Sequence, residues 1–199
     1  ADSLFFLYSN NATGCNDKSA NVGLEFEHKL VKLVMDITPG GGVIREDLAD
    51  MRAYVSGMYA KANFNLASGK IEYTGQQPED FEIFFDAEND RMEMVVFPVT
   101  APLSGRSIIF DIPGVGEKTW DIPAATLFEP GRIYNFDTDI DMAGVTVTLG
   151  EVEEWKGASA VAESGEAKPK EPLAPDAFYL DYPNSYMVAP GVELEIPVG

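Results

Sequence analysis

The chain has one histidine, His28, and no other side chain whose ordinary pKa lies near neutral pH. A catalytic histidine needs a nucleophile and an orienting acid within hydrogen-bond reach. His28 instead alternates with Leu24, Phe26 and Leu30, which would share its face of a strand. The spacing therefore predicts a packed, hydrogen-bonded core histidine. We predict no catalytic residue and no enzyme activity.

Three aspartates, Asp137, Asp139 and Asp141, have the spacing that opens a calcium-binding loop. The pattern then departs from that loop, because Met142 stands where glycine is required and Thr148 where a bidentate glutamate belongs. On a strand, the three carboxylates would line one face. A solvated acidic face is the favoured interpretation, and a weak calcium site is the alternative.

The other residues that could carry chemistry predict no cofactor. A single cysteine, Cys15, excludes an intramolecular disulfide and leaves a cysteine-based metal site short of ligands. With 33 acidic residues, some pair can always be matched to a glycosidase, so such a pair is no evidence for one. Trp120 and Trp155 alternate with polar residues as core anchors do, and a sugar-stacking platform is the alternative.

The net charge of the chain disfavours two classes of binding partner, nucleic acids and anionic membranes. The 199 residues include 14 Lys plus Arg against 33 Asp plus Glu, a formal charge of −19. Nucleic acids and anionic lipid both require clustered basic side chains, so both are disfavoured. No apolar run approaches the roughly 18 residues of a membrane helix. LFFLY (4–8) lacks the basic flank of a signal peptide, so any membrane attachment is expected through a lipid anchor upstream of Ala1.

Alternation of apolar and polar residues dominates the sequence. In the segment 24–38 the apolar set changes phase between Leu30 and Val31, which predicts a β-bulge or a crossing between sheets there. One short helical pattern, over 44–51, follows the breaker PGGG. The predicted inner face of that helix consists of Ile44, Leu48 and Met51.

Three hairpins are predicted from strand runs that flank turn residues. The paired runs are 63–66 with 70–73 around Gly69, 107–112 with 118–122 around 113–117, and 132–140 with 145–149 around Gly144. MEMVVFPV (92–99) is apolar on both faces and predicts a central strand. Strands at this spacing, linked by hairpins, indicate an all-β, antiparallel β-sandwich.

Composition changes after Trp155. Residues 157–176 are rich in Ala, Gly, Ser, Glu, Lys and Pro without a period, which predicts a flexible linker. Alternation returns in 177–199 around Pro190-Gly191, which predicts one or two strands. Two strands are not stable alone in water, so this segment must pair with the main domain, with another molecule or with a further domain.

The order of several short motifs resembles the fimbrillin family of surface-pilus proteins. These motifs are the strand F-x-H-x-L-x-K-L at 26–33, the V-S-G…A-x-F-N-L-x-x-G hairpin at 55–69, T-W-x-I-P at 119–123, F-E-x-G-x-x-Y at 128–134 and a V-T-V strand that closes at Trp155. The resemblance covers about residues 20–156. It implies a transthyretin-like β-sandwich, and family members stack two of them.

The resemblance also implies how the chain is divided. Residues 1–19 would be the remnant of a preceding β domain, with DSLFFLYS (2–9) as its last strand. Residues 20–156 would be the sandwich and 157–176 the linker. Residues 177–199 would be a C-terminal strand segment or the start of a further domain.

The predicted function follows from this resemblance. It implies a non-enzymatic fimbrial or adhesion protein at the cell surface, associated with the outer membrane and partnered by other fimbrial subunits. Family members assemble by β-strand addition. The candidate strand-docking residues are Tyr186, Val188, Leu194 and Ile196.

The alternative function is a surface carbohydrate-binding module that contacts a host or other glycan through exposed aromatic side chains. The candidate aromatic residues are Tyr59, Tyr73 and Tyr182.

Overall fold

Most of the alternating segments form strands. The computed structural model describes residues 6–12 and 24–156. Their elements are β1 (Leu7–Tyr8), β2 (Glu27–His28), β3 (Val31–Pro39), α1 (Arg45–Leu48), β4 (Arg52–Tyr59), β5 (Asn63–Asn65), β6 (Lys70–Glu72), β7 (Pro78–Ile83), β8 (Phe85–Asp86), β9 (Arg91–Val96), β10 (Arg106–Ile112), β11 (Gly116–Ile122), β12 (Arg132–Ile140) and β13 (Val145–Glu154).

Two sheets enclose the main core. One has the strand order β13-β12-β3-β9-β8 and the other β11-β10-β4-β7. Buried apolar residues of both sheets form one contiguous cluster, as in a β-sandwich. The all-β sandwich is thereby confirmed. The predicted boundaries at 1–19, 20–156, 157–176 and 177–199 stay predictions, because the last two segments lie outside the described residues.

One strand pair departs from the antiparallel prediction. β3 and β12 are parallel, with Leu33 beside Tyr134 and Met35 beside Phe136. β3 is antiparallel to β9 on its other side. Hairpins place strands antiparallel, but β3 and β12 are far apart in the sequence and no tight turn dictates their relative direction.

The predicted change of phase is confirmed as a crossing between sheets. β2 ends at His28 and pairs with β1, whereas β3 begins at Val31 in the five-stranded sheet. The prediction was wrong about the outer part of this face, since Leu24 and Phe26 are each 54% exposed. In the β1–β2 ribbon only His28 is buried on that face, and the ribbon also packs through its opposite face, where the rings of Phe6 and Tyr8 contact Phe64.

The hairpins are confirmed with small changes of length. The loop before Gly69 begins at Leu66, and the turn between β10 and β11 is shorter than predicted, because β11 already begins at Gly116. β9 is a strand as predicted, but Glu93 is exposed on its outer face, so it is not apolar on both. The helical segment forms one turn. Its predicted inner residue Ile44 is exposed, and the Asp47 carboxylate accepts its N–H at 3.0 Å.

A buried arginine holds two loops beside the main core. Arg106 is 1% exposed. Its Nε donates to the Leu103 carbonyl at 2.9 Å, and its Nη2 donates to the carbonyls of Pro123 and Thr126 at 3.1 and 2.7 Å. Burial lowers the pKa of the guanidinium. Backbone oxygens therefore take the place of a carboxylate partner around this charge.

A substitution at Gly57 would test how closely β4 approaches the residues that precede β10. Gly57 has a φ of +73°, and a Cβ there would overlap the carbonyl oxygen of Gly105. We expect Gly57→Ala to lower the free energy of unfolding by about 3 kcal/mol or more, through backbone overlap added to left-handed strain. Gly75 has a similar φ of +78° but open space around it. Gly75→Ala should therefore cost only about 1–2 kcal/mol in urea unfolding. Equal losses for both variants would contradict the close approach.

Candidate functional site

The longest strand of the described chain lies at a sheet edge. β13 has ten residues and pairs with β12 on one side. Within residues 6–12 and 24–156, no strand pairs with its other side. β11 forms the edge of the opposite sheet and contacts β13. An edge of this kind presents unpaired backbone N–H and C=O groups that another strand can use.

The inner face of β13 is apolar from Val145 to Val152. Val145, Val147, Leu149 and Val152 stand opposite β12 residues whose side chains are buried. Val145 and Val147 pack against the main core, but Leu149 is 49% and Val152 is 43% exposed. Beside them Trp120 of β11 packs on Phe136 with ring centroids 5.3 Å apart. We call Trp120, Val145, Val147, Leu149 and Val152 the edge groove.

A bulge keeps this apolar stripe in phase. The β12–β13 register shifts between Tyr134 and Phe136, so that Gly150 and Glu151 both stand opposite Asn135. The Asn135 side-chain amide donates to the Glu151 carbonyl at 3.1 Å and to the Glu153 carboxylate at 2.9 Å. An extra residue in one strand returns the following side chain to the same face. Val152 therefore faces inward like Leu149.

The three aspartates of the calcium-like pattern serve different purposes. Asp137 and Asp139 are exposed on the outer face of β12, opposite Thr148 and Thr146 of β13. Asp141 instead closes the β12–β13 turn, accepting the N–H groups of Ala143 at 2.7 Å and Gly144 at 2.8 Å.

Within the described part of the chain, no three His, Cys, Asp or Glu side chains group as metal ligands would. None of its helices is long and apolar enough to cross a membrane.

A second concave feature lies where β2, β12 and β13 meet. It is a cleft of about 400 Å³ lined by Phe26, His28, Gly131, Arg132 and Trp155, among others. We call it the terminal cleft. Two backbone hydrogen bonds join the segments that form it. The Gly131 N–H donates to the Leu30 carbonyl, and the Trp155 N–H donates to the Gly131 carbonyl, both at 2.8 Å.

His28 is packed in this cleft as the sequence predicted. It is 5% exposed, and its ring stacks on Trp155 with centroids 4.2 Å apart and planes 5° apart. Trp155 in turn packs on a second, smaller core that contains Leu30 and Phe97. Both tryptophans are therefore anchors against a core, as predicted from their alternation.

Two of the tyrosines predicted as an exposed sugar platform are not exposed. Tyr59 and Tyr73 are half-buried and stack on each other with ring centroids 4.2 Å apart. The Tyr73 hydroxyl donates to the Pro98 carbonyl, and burial raises the pKa of Tyr73. Their faces pack against the second core and each other, which corrects that prediction. Tyr182 lies outside the described residues.

The candidate strand-docking residues also lie outside the described residues. They are Tyr186, Val188, Leu194 and Ile196. Their docking stays a prediction. The edge groove was not predicted from the sequence, although the alternation of Val145, Val147 and Leu149 with threonines indicated its inner face.

A family model described as fimbrillin-like matches residues 3–155. The chain belongs to the fimbrillin-like family. The matched residues include β1 and both sheets of the sandwich. The edge groove therefore lies within the part of the chain that matches the family. No curated protein matches the sequence.

Two solved structures resemble this fimbrillin-like chain. A candidate cell adhesion protein from Bacteroides uniformis ATCC 8492 has 27% identity and a TM-score of 0.60, over 68% of this chain and 54% of that one. A second, from Bacteroides ovatus ATCC 8483, has 20% identity and a TM-score of 0.55, over 68% of this chain and 49% of that one. The chain thus matches about half the length of these structures.

The buried imidazole predicts a pH dependence of stability. Burial lowers the pKa of His28 from its ordinary value of 6.5. As the pH falls below 6.5, His28 becomes protonated in the unfolded chain while it is still neutral in the folded chain. The contribution of neutral His28 is therefore complete above that pH and is lost as the pH falls below it.

We expect the free energy of unfolding in urea to be lower at about pH 5.5 than at about pH 7.5, an interval in which ordinary Asp and Glu side chains stay ionised. His28→Phe keeps a ring against Trp155 and should show a flatter profile. The same slope in wild type and variant would show that His28 is not its source.

Proposed function

We propose that this fimbrillin-like chain is a non-enzymatic subunit of a fimbria or a fimbria-associated surface structure, and that it assembles by β-strand addition at the edge groove. The observation that carries the proposal is the inner face of β13, where Leu149 and Val152 are about half exposed at an edge that no other described strand covers. The family supports a structural or adhesive role and a place at the cell surface. Association with the outer membrane through a lipid anchor stays a prediction.

The edge groove has what an accepting strand site requires. Main-chain groups of β13 supply hydrogen bonds, and uncovered apolar positions supply pockets for alternate side chains. Proteins usually protect long edges with charges, bulges or a covering segment. β13 has acidic residues only toward its C-terminal end, at Glu151, Glu153 and Glu154, while its first half (145–149) consists of Val, Thr and Leu. That half therefore carries no charge that would oppose pairing with another strand.

The donor that we propose is the segment 184–198. Its alternating apolar residues would fill the pockets of the groove while its backbone pairs with β13, on the same chain or on a neighbouring subunit. The apolar residues concerned are Tyr186, Val188, Leu194 and Ile196. A chain with a net charge of −19 repels its copies, so apolar contact and backbone pairing must supply the affinity.

The edge groove can be tested by polar substitution on one face of β13. We expect Leu149→Gln with Val152→Gln to abolish assembly of the full chain, because the substitutions remove the apolar pockets while leaving the backbone of β13 in place. Leu194→Gln with Ile196→Gln in the donor should have the same effect. Light scattering and negative-stain electron microscopy of purified subunits would measure assembly.

The matched control lies on the same strand. Thr146 and Thr148 are exposed on the outer face of β13, and Thr146→Gln with Thr148→Gln should leave assembly unchanged. Circular dichroism would establish that all variants fold. Assembly by folded groove variants at the wild-type level would exclude the edge groove as the acceptor, and a loss in the outer-face control would show that the whole strand surface is involved.

A further inference from the structure

The terminal cleft lies at the point where the described chain ends. Lys156 lines it, directly after the Trp155 indole. Phe26 also lines the cleft, and 54% of its surface is exposed. The cleft therefore presents aromatic surface to solvent, and its backbone floor is hydrogen-bonded in place.

The rim of the terminal cleft is more positive than the rest of the chain. It carries Lys29, Arg132 and Lys156 against Glu27 and Glu154. Lys29 is paired with Glu27 at 2.8 Å, but Arg132 approaches Glu154 only to 3.8 Å. Lys156 forms no ion pair with any residue of 6–12 or 24–156. In a chain with a charge of −19, such a site favours an acidic group.

The sequence supplies a segment of matching chemistry. Residues 171–199 contain five acidic residues and no Lys, Arg or His. Within them AFYLDY (177–182) places three aromatic rings within five residues of one another and an aspartate, Asp181, among them. Aromatic rings gain from contact with other rings beyond their buried area, and carboxylates gain from Lys and Arg.

The tether between the two is short. Residues 157–176 separate the cleft-lining Lys156 from Ala177. A coil of that length has an average end-to-end distance of about 25 Å. Short tethers of this kind give effective concentrations in the millimolar range, on the order of 1 mM. A segment with only modest intrinsic affinity would therefore occupy the cleft of its own chain.

We propose that the acidic aromatic segment 177–182 docks in the terminal cleft of the same chain. Its rings contact Phe26 and the exposed part of Trp155, and the Asp181 carboxylate faces Lys156 and Arg132. This docking places residue 184 beside the C-terminal end of β13, at one end of the edge groove. The proposal does not depend on whether the edge groove accepts a strand, because it concerns an intramolecular contact in the monomer.

Trp155 reports on the cleft directly. In full-length chain with Trp120→Phe, Trp155 is the sole tryptophan. We expect replacement of Phe178, Tyr179 and Tyr182 by Ser to raise the acrylamide quenching constant of Trp155 by about twofold or more, because the covering rings are lost. Tyr186→Ser, outside the segment, is the control and should change it little.

A charge swap tests the electrostatic half of the proposal. Lys156→Glu should raise the quenching of Trp155 at low salt, and adding Asp181→Lys to that variant should restore protection. Lys70→Glu, at an exposed lysine of β6, is the matched control and should have no effect. Fluorine NMR of 5-fluorotryptophan in the chain with both tryptophans gives a second readout, should Trp120→Phe disturb the fold.

Three results would overturn the proposal. The first is unchanged quenching and an unchanged fluorine shift of Trp155 in the folded triple serine variant. The second is failure of the charge swap to restore protection. The third is protection that disappears on dilution together with dimer in size-exclusion chromatography, which would make a second copy the occupant. Assembly assays do not enter this test, so its failure is distinguishable from failure of the edge groove.

Discussion

The interruption between strands β2 and β3, from His28 to Val31, is the constraint on which the arrangement of the sandwich depends. There the chain leaves the β1–β2 ribbon and enters the five-stranded sheet. Gly131 approaches this point so closely that a Cβ would lie 3.0 Å from the His28 carbonyl oxygen, and its φ is +71°. Its N–H and carbonyl then join Leu30 to Trp155. The first residues of β3 and β12 and the last residues of β13 therefore lie together. This is expected because β12 is parallel to β3 and antiparallel to β13.

The same junction separates the two surfaces that we assign to interaction. The terminal cleft forms directly on the junction, and the edge groove extends from it along β13. Ion pairs between exposed side chains, such as Arg52 with Glu82, each contribute little to stability. The two apolar cores are the larger source of stability. The chain's net charge of −19 makes its copies repel one another.

Much of the fold could be predicted from local pattern. The change of phase at Leu30, the hairpin at Gly69 and the burial of His28 follow from side-chain alternation and turn chemistry, which depend on neighbours in the sequence. Arg106 was missed, although it stands in phase with the buried Ile108, because a charged residue is rarely expected inside without an acid. The exposure of Phe26 and the stacking of Tyr59 on Tyr73 could not be predicted, since both depend on which distant element covers a face.

The sequence by itself determined that the chain is acidic, that it is all-β and that its motifs resemble those of the fimbrillin family. Period two decides which side chains share a face, and composition decides net charge, so both can be read without coordinates. Only the tertiary structure decided that β12 pairs with β3 in parallel, that a bulge at Gly150 keeps Val152 facing inward, and that β13 lies at a sheet edge among the described strands. The physical reason is that strand pairing joins segments remote in sequence, and alternation does not specify which partner covers a face or whether one is present.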